Sequence, residues 1–434
     1  MDLQKGNIRT IYFKFLFPCL FSGLITSIYS LVDMIVVGQY EGANGTAALA
    51  CIAPFWTFFC CLSVLFGSGG AVLFSTAKGK GDRQESNEAF TVALVLICSV
   101  AAVIWLIIFL FHEPLLRLCG ADDILMPLAK RYMGWLKWGV PLFPIGYFLG
   151  MFVRNDGSPT LAGAAIICGG VFNIFADIFL TFTCDLGIEG AAIATVAGQA
   201  IAFCILMTHF FSKKNTMSLI KITAFYQHFQ AIVSIGLSSF LIDIGMGVMV
   251  ILFNNQIRHY FGNNELAVYG VAGNLFALIQ TFSYGIGNAA QPILAENLGA
   301  GNLERVDQTR KMGTYTAVVI GTMVGIGTIL FPAQIVRAYI NASPEVLSIA
   351  PYILRRYFLC FLFVPVNVFT TFYLQAIQRV RESIGLSVLR GFLLCGVFLY
   401  IFPPLFGADA LWSVMFIAEL ATVLIAVVVS RKIK

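Results

Sequence analysis

Charge is what this sequence has least of. Asp, Glu, Lys and Arg make up 11% of its 434 residues, against about 25% in an average soluble domain. That scarcity argues against a soluble globular protein of this length. Intrinsic disorder requires low hydrophobicity and high net charge, whereas 59% of the chain is hydrophobic. Metal-ligating patterns are missing as well. The four histidines, at 112, 209, 228 and 259, stand far apart, and no HExxH or Cys/His cluster supports a zinc site. None of the 11 cysteines forms a CxxC pair; most lie in apolar runs, where Cys acts as a small hydrophobe. Length and apolar content exclude a secreted disulfide scaffold; Cys119 and Cys184, both on the outward side, leave one bridge open. No run of Lys and Arg has the density of a nucleic-acid patch. No nucleic-acid partner is therefore expected, and the net charge of +5 is read as loop charge that orients a membrane protein.

What is present is one apolar run after another. A helical span needs about 20 mostly apolar residues, and with loops of ordinary length the chain holds roughly 12 of them. They are placed at 11–38, 46–75, 89–112, 124–151, 160–183, 187–211, 229–256, 265–291, 312–340, 347–375, 384–406 and 409–430. The first run is too long for the apolar core of a signal peptide and reads as an uncleaved span. The expected fold is an all-α polytopic membrane protein with 12 transmembrane helices in two lobes. The N-terminal lobe covers 1–212, a cytoplasmic inter-lobe loop covers 213–228, and the C-terminal lobe covers 229–434. With both termini inside, the cytoplasmic segments hold more than twice as many Lys and Arg as the outward ones (Lys78, Lys80, Arg83, Lys213, Lys214 and Lys221 among them), as the positive-inside rule requires.

The halves repeat. A shift of 220 residues lays Gly79-Lys80-Gly81-Asp82 on Gly299-Ala300-Gly301-Asn302, Ser63 and Gly67 on Ser283 and Gly287, Gly187 on Gly407, and Gln199 on Glu419. A slightly larger shift lays Lys130-Arg131-Tyr132 on Arg355-Arg356-Tyr357. Six spans per half restart the second half in the same orientation. The lobes are thus parallel repeats related by a pseudo-two-fold axis along the membrane normal, as in transporters whose site lies between repeats. The Gly-x-Gly turns lack the Lys-Ser/Thr ending of a phosphate loop, so nucleotide binding is not indicated.

Charged groups inside spans cost about 2.5–3.5 kcal/mol on insertion scales, so each needs a reason. Asp33 lies late in the first span, with Tyr29 and Thr26 one and two turns before it on its face. Asp177 follows Asn173 by one turn in the fifth span, and the sixth offers Thr195. Two carboxylates with amide and hydroxyl oxygens suit a proton or a hard cation such as sodium; the alternative is a buried polar set that only pins helices together. Asp243 sits midway along the seventh span, where it either faces a cavity or makes a packing contact. Arg390 and Glu419 are expected to form a structural ion pair. Glu296, beside the second Gly-x-Gly turn, reads as interfacial. Pro18, within the first span, removes a backbone hydrogen bond and permits a kink.

Several stretches resemble the MATE (multidrug and toxic compound extrusion) transporters of the MOP superfamily. They are LVDMIVVGQYEGANGTAALA, FVRNDGSPTLAG with Arg154-Asn155-Asp156-Gly157-x-Pro159, NIFADIFL, GIEGAAIATVAGQ and VYGVAGN…AENLGAGN. The resemblance implies two six-helix lobes, V-shaped around a central cavity. It implies efflux of organic cations or other amphipathic drugs, driven by inward flow of protons or sodium. Asp33, Asn173, Asp177 and Thr195 match the family's N-terminal ion site one by one, and would hold sodium if that is the coupling ion. Tyr29 and Pro18 match the tyrosine and proline of the first helix. The chain departs from a branch with acids on spans 7 and 10: Met246 stands at the span-7 position, and span 10 has Asn367 and Gln375 but no acid. The expectation is a secondary antiporter without cofactor beyond its coupling ion, not an enzyme. It would be a monomer in the plasma (inner) membrane. The alternative is a lipid-linked sugar flippase or a dedicated metabolite exporter of the same superfamily; a flippase would favour a basic cavity, and here the basic residues cluster in loops.

Overall fold

The computed structural model describes residues 3–339 and 343–432; the end of the expected 312–340 span and Lys434 lie outside them. Among the described residues every regular element is helical. In chain order the helices are α1 (Ile8–Lys80), α2 (Arg83–Leu118), α3 (Met126–Gly139), α4 (Leu142–Asn155), α5 (Pro159–Ile178), α6 (Ile188–Met207), α7 (Phe225–Tyr260), α8 (Asn263–Gly299), α9 (Leu303–Leu330), α10 (Pro332–Tyr339), α11 (Pro344–Phe358), α12 (Val364–Ala376), α13 (Val380–Val388), α14 (Leu394–Phe406) and α15 (Val414–Lys432).

Ten helical stretches are long and apolar enough to cross a membrane, eleven with the bent pair α3 and α4, which turn by 47°. α1 has 73 residues, about 110 Å at 1.5 Å per residue, against a hydrocarbon core of about 30 Å. Its backbone breaks at Gly42 (φ 70°, ψ −156°), a conformation glycine adopts at little cost. Length and break leave α1 room for two crossings. At Pro18 the backbone stays helical, so the break falls at the glycine and not at the proline. Four expected single spans are interrupted. In 347–375 a 3-10 turn (Leu359–Leu362) separates α11 from α12, and in 384–406 a π-helical turn (Leu389–Leu393) separates α13 from α14. The other two break at proline. Pro141 lies in the break between α3 and α4, and α9 stops just before Pro332, which opens α10, because proline brings no N–H to the helical ladder. All 11 cysteines are free, Cys119 and Cys184 included.

The chain packs as two compact units. The first runs to Gly236 and adds Ala295–Leu303; the second is Leu237–Leu294 with Glu304 onward. The sequence places the divide in the loop 213–228, but packing gives that loop and the start of α7 to the first unit. Hydrogen bonds explain this. Asp156, fully buried, accepts from Lys78 Nζ (2.6 Å), from the Thr216 backbone N–H (2.8 Å) and from the Thr216 hydroxyl, and lies 2.8 Å from His209 Nε2. Asn87 accepts from Ser218 N, Thr91 from Ile220 N, and Glu88 from the N–H groups of Thr223 and Ala224. The loop is thereby strapped to the first unit. Burial pushes the Asp156 carboxyl up, but His209, Lys78 and Thr216 outweigh it and hold the group below the usual carboxylate range.

The Gly-x-Gly turns divide two tasks. The second glycine of each, Gly81 and Gly301, takes positive φ (80° and 73°), the left-handed conformation that ends helices. The first permits close approach. A Cβ on Gly79 would lie 2.0 Å from Glu296 O, and one on Gly299 would lie 2.0 Å from Thr76 O. This contact carries the end of α8 into the first unit and buries Glu296, which the sequence had suggested was interfacial. Aromatic rings fill the core nearby, with Phe148 tilted against Phe152 at 4.6 Å and Phe90 edge-on to Phe152 at 5.1 Å between centroids.

Candidate functional site

Small residues bring three helices of the first unit together. A Cβ on Gly170 would meet Ile25 at 2.5 Å and Tyr29 at 3.1 Å, and one on Gly163 would meet Pro18 at 2.7 Å. α1 thus lies against α5 along two turns of glycine. On the other side of α5, a Cβ on Gly169 would stand 2.5 Å from Gly198 O of α6. Small residues at such crossings let backbones approach within the bilayer, where packing rather than hydrophobic expulsion holds helices together. The result brings Asn173 of α5 beside Thr195 of α6, with Asp33 of α1 near enough to Asp177, one turn along α5, for their charges to interact. Asn173 Nδ2 donates to Thr195 Oγ1 at 3.3 Å. Asp177, Asn173 and Thr195 are buried, Asp33 is half-buried, and the charge of Asp33 acts on Asp177.

The oxygens of this group are poorly satisfied. Asp33 Oδ1, Asn173 Oδ1 and both carboxylate oxygens of Asp177 are shielded from solvent and accept no hydrogen bond. Buried polar atoms are nearly always paired, and each exception calls for an explanation. An array of orphaned oxygen acceptors inside a membrane helix bundle suits a guest that brings positive charge: a proton, or a hard cation that takes oxygen ligands. The donor set fits sodium in chemistry, and the four residues that would hold it are Asp33, Asn173, Asp177 and Thr195.

The other sequence candidates separate. Tyr29 stays with the site and stands near Tyr147 and Gln199. The Thr26 hydroxyl donates to Ser22 O of its own helix at 2.9 Å, so it is engaged away from Asp33. Pro18 packs on Gly163. Asp243 belongs to the second unit, where it accepts from the hydroxyl of Tyr284. Arg390 Nε donates to Glu419 Oε1 at 2.7 Å, and Asn367 Nδ2 donates to Glu419 Oε2 at 2.6 Å. Sequence reasoning missed Tyr132, a buried residue of α3 that stands near Thr195, Asp33 and Asp177. Its one signal was the Lys-Arg-Tyr repeat, which marked the position without a role. Gln199 carried only its place in the repeat, opposite Glu419, and Tyr147 carried no signal, because an aromatic in an apolar run looks like filler.

Comparison with known proteins gives the family and the fold. The MatE family model matches residues 18–179 and 235–401. The chain is 24% identical over 431 residues to the multidrug export protein MepA of Staphylococcus saprophyticus, covering 98% of this chain and 94% of that one. It is 24% identical over 356 residues to a probable multidrug resistance protein, YoeA, of Bacillus subtilis, covering 80% and 76%. An outward-facing multidrug resistance MATE transporter superposes with a TM-score of 0.91 at 20% identity, covering 99% and 96%. A Vibrio cholerae MATE transporter superposes with 0.88 at 20% identity, covering 98% and 97%. The family model spans both halves of the chain, each with its own set of spans. This chain therefore belongs to the MatE family of multi-pass membrane transporters, and it is a secondary transporter, not an enzyme.

Proposed function

We propose that the protein is a multidrug efflux antiporter. It exports organic cations and other amphipathic drugs by alternating access, in exchange for protons or sodium bound at Asp33 and Asp177. One observation carries the reading: the four buried oxygens of Asp33, Asn173 and Asp177 that lack partners. An ion-driven carrier needs a place where charge binds reversibly inside the bilayer, and a fully hydrogen-bonded structural cluster would not offer one. The MepA and YoeA names support the drug class. In this reading, occupancy of the site by a proton or sodium changes the packing of α1 on α5 at the Gly163 and Gly170 contacts, and with it the access of substrate. Both termini are cytoplasmic and the working unit is the monomer.

The test uses proteoliposomes loaded with a fluorescent organic cation, with a pH gradient or a sodium gradient imposed separately. Gradient-driven transport by the wild type, lost in Asp33→Asn and in Asp177→Asn, is the expected result and names the ion. Transport that persists under a gradient in both variants would remove the pair from coupling.

A further inference from the structure

The second unit contains a cavity of about 70 Å³ at the place in the repeat where the first unit keeps Asp33. Under the shift of 220 residues, Tyr29, Asp33 and Thr195 fall on Met249, Phe253 and Met415, and all three line this cavity. Tyr357, which the larger shift pairs with Tyr132, lines it too, beside Met246 and Tyr269. Oxygen ligands have been replaced by thioethers and rings. The charged groups in the wall, Arg390 and Glu419, are closed on each other at 2.7 Å, and the second Glu419 oxygen is taken by Asn367. The pair therefore leaves no carboxylate oxygen for an ion. Val250, 45% exposed, also lines the cavity and brings it to the surface.

We propose that this cavity is a binding subsite for the uncharged apolar end of an organic guest, one aromatic ring or a short alkyl branch. The proposal rests on the exporter reading for its substrate class. An engineered apolar cavity of about 150 Å³ takes up benzene, so the space here admits part of a ring, and the wall must yield for the rest. Methionine supplies that yield, because its unbranched, polarisable side chain repacks readily around different shapes. Rings across from it add offset or edge contacts to an aromatic guest. The chemistry is that of a site tolerant of shape and selective for apolarity.

Gly273 lines the cavity, and a Cβ there meets nothing within 4 Å, so Gly273→Leu fills the space without a clash at its first atom. Met249→Ala enlarges the space from the opposite direction. The measurement is equilibrium binding of tetraphenylphosphonium to the purified full chain in lipid nanodiscs, with thermal unfolding recorded for each variant. Gly273→Leu is expected to weaken binding about tenfold, the loss of one excluded apolar group, while Met249→Ala binds at least as tightly as wild type. Unchanged affinity in Gly273→Leu overturns the subsite and leaves the exporter reading standing. Equal weakening by both variants also overturns it, because filling and enlarging one subsite must act in opposite directions. A wild type that binds no tetraphenylphosphonium overturns the substrate class and the subsite with it.

Discussion

At positions 147 and 199 the first unit carries Tyr and Gln; 220 residues later the second carries Asn367 and Glu419, with Arg390 where the first has Gly170. The difference reaches the acids as well. Asp33, Asn173, Asp177 and Thr195 correspond to Phe253, Leu393, Val397 and Met415. In the first unit, glycine at 170 lets α1 close on α5, and the oxygens gathered there stay without donors. In the second, an arginine fills the equivalent place and is neutralised within its own unit by Glu419. One repeat thus built two kinds of buried polarity. The first unit leaves carboxylate oxygens without donors, while the second pairs both carboxylate oxygens of Glu419 and leaves the neutral Asn367 Oδ1 and Gln280 Nε2 without partners. A buried ion pair says little about transport and much about what breaks when half of it is removed. Orphaned oxygens say the reverse.

The largest expected effect tests that contrast. Glu419→Ala leaves Arg390 buried without its partner and should lower unfolding stability by on the order of 3–5 kcal/mol. Replacing both residues by methionine should recover most of the loss, since well-packed apolar residues often substitute for a buried pair at little cost. Asp177→Asn removes no hydrogen-bonded partner and should change stability by less than about 1 kcal/mol while abolishing transport. Denaturation in detergent distinguishes the cases, and a comparable loss in both single variants would erase the difference between the units.

Next in size is the close contact of the Gly-x-Gly turns. Gly79→Ala forces a methyl to 2.0 Å from Glu296 O and should cost about 1–3 kcal/mol, the usual range for overpacking. Gly134→Ala, where nothing lies within 4 Å, should be neutral or stabilising because alanine favours helix. Thermal unfolding of the two variants side by side gives the measurement.

Asp156 predicts a pH dependence. Its folded carboxyl is held below the usual range, so the unfolded state binds the proton more readily. The strap therefore adds stability above the unfolded carboxylate value of about 3.9, and loses it as pH falls further toward the folded value. Stability measured from pH 6 down to pH 3, set as about one unit below that reference, should fall more steeply in wild type than in Asp156→Asn, and equal slopes would count against the clasp. The smallest effect belongs to Thr26→Val. Its hydroxyl serves its own helix, so stability should move by no more than about 0.5 kcal/mol and transport should match wild type; a strong transport defect would return Thr26 to the site.

Much of this was legible in the sequence for a physical reason. A span must be apolar for about 20 residues, so the crossings show in composition, and a charge inside one shows as an exception. Asp33, Asn173, Asp177 and Thr195 were visible because carboxylates and their one-turn neighbours are conspicuous against leucine and phenylalanine. Tyr132 and Gln199 were not, because their roles depend on which helix faces which. The Arg154-Asn155-Asp156-Gly157 stretch stood out as a motif, yet its work appeared only when Lys78, His209 and Thr216 came to one carboxylate from three other places in the chain.

By itself the sequence determined the membrane, the apolar helical spans and the repeat, since these follow from local hydrophobicity and from matching positions at a fixed offset. It also picked out four candidate site residues, because buried polar groups stand out against apolar spans. Tertiary structure alone decided that α1 breaks at Gly42 and not at Pro18, that the inter-lobe loop belongs to the first unit, and that one half leaves its buried oxygens open while the other closes its charges on each other. Those outcomes depend on partners brought from distant positions by helix packing, and no local pattern encodes which donor will reach which acceptor.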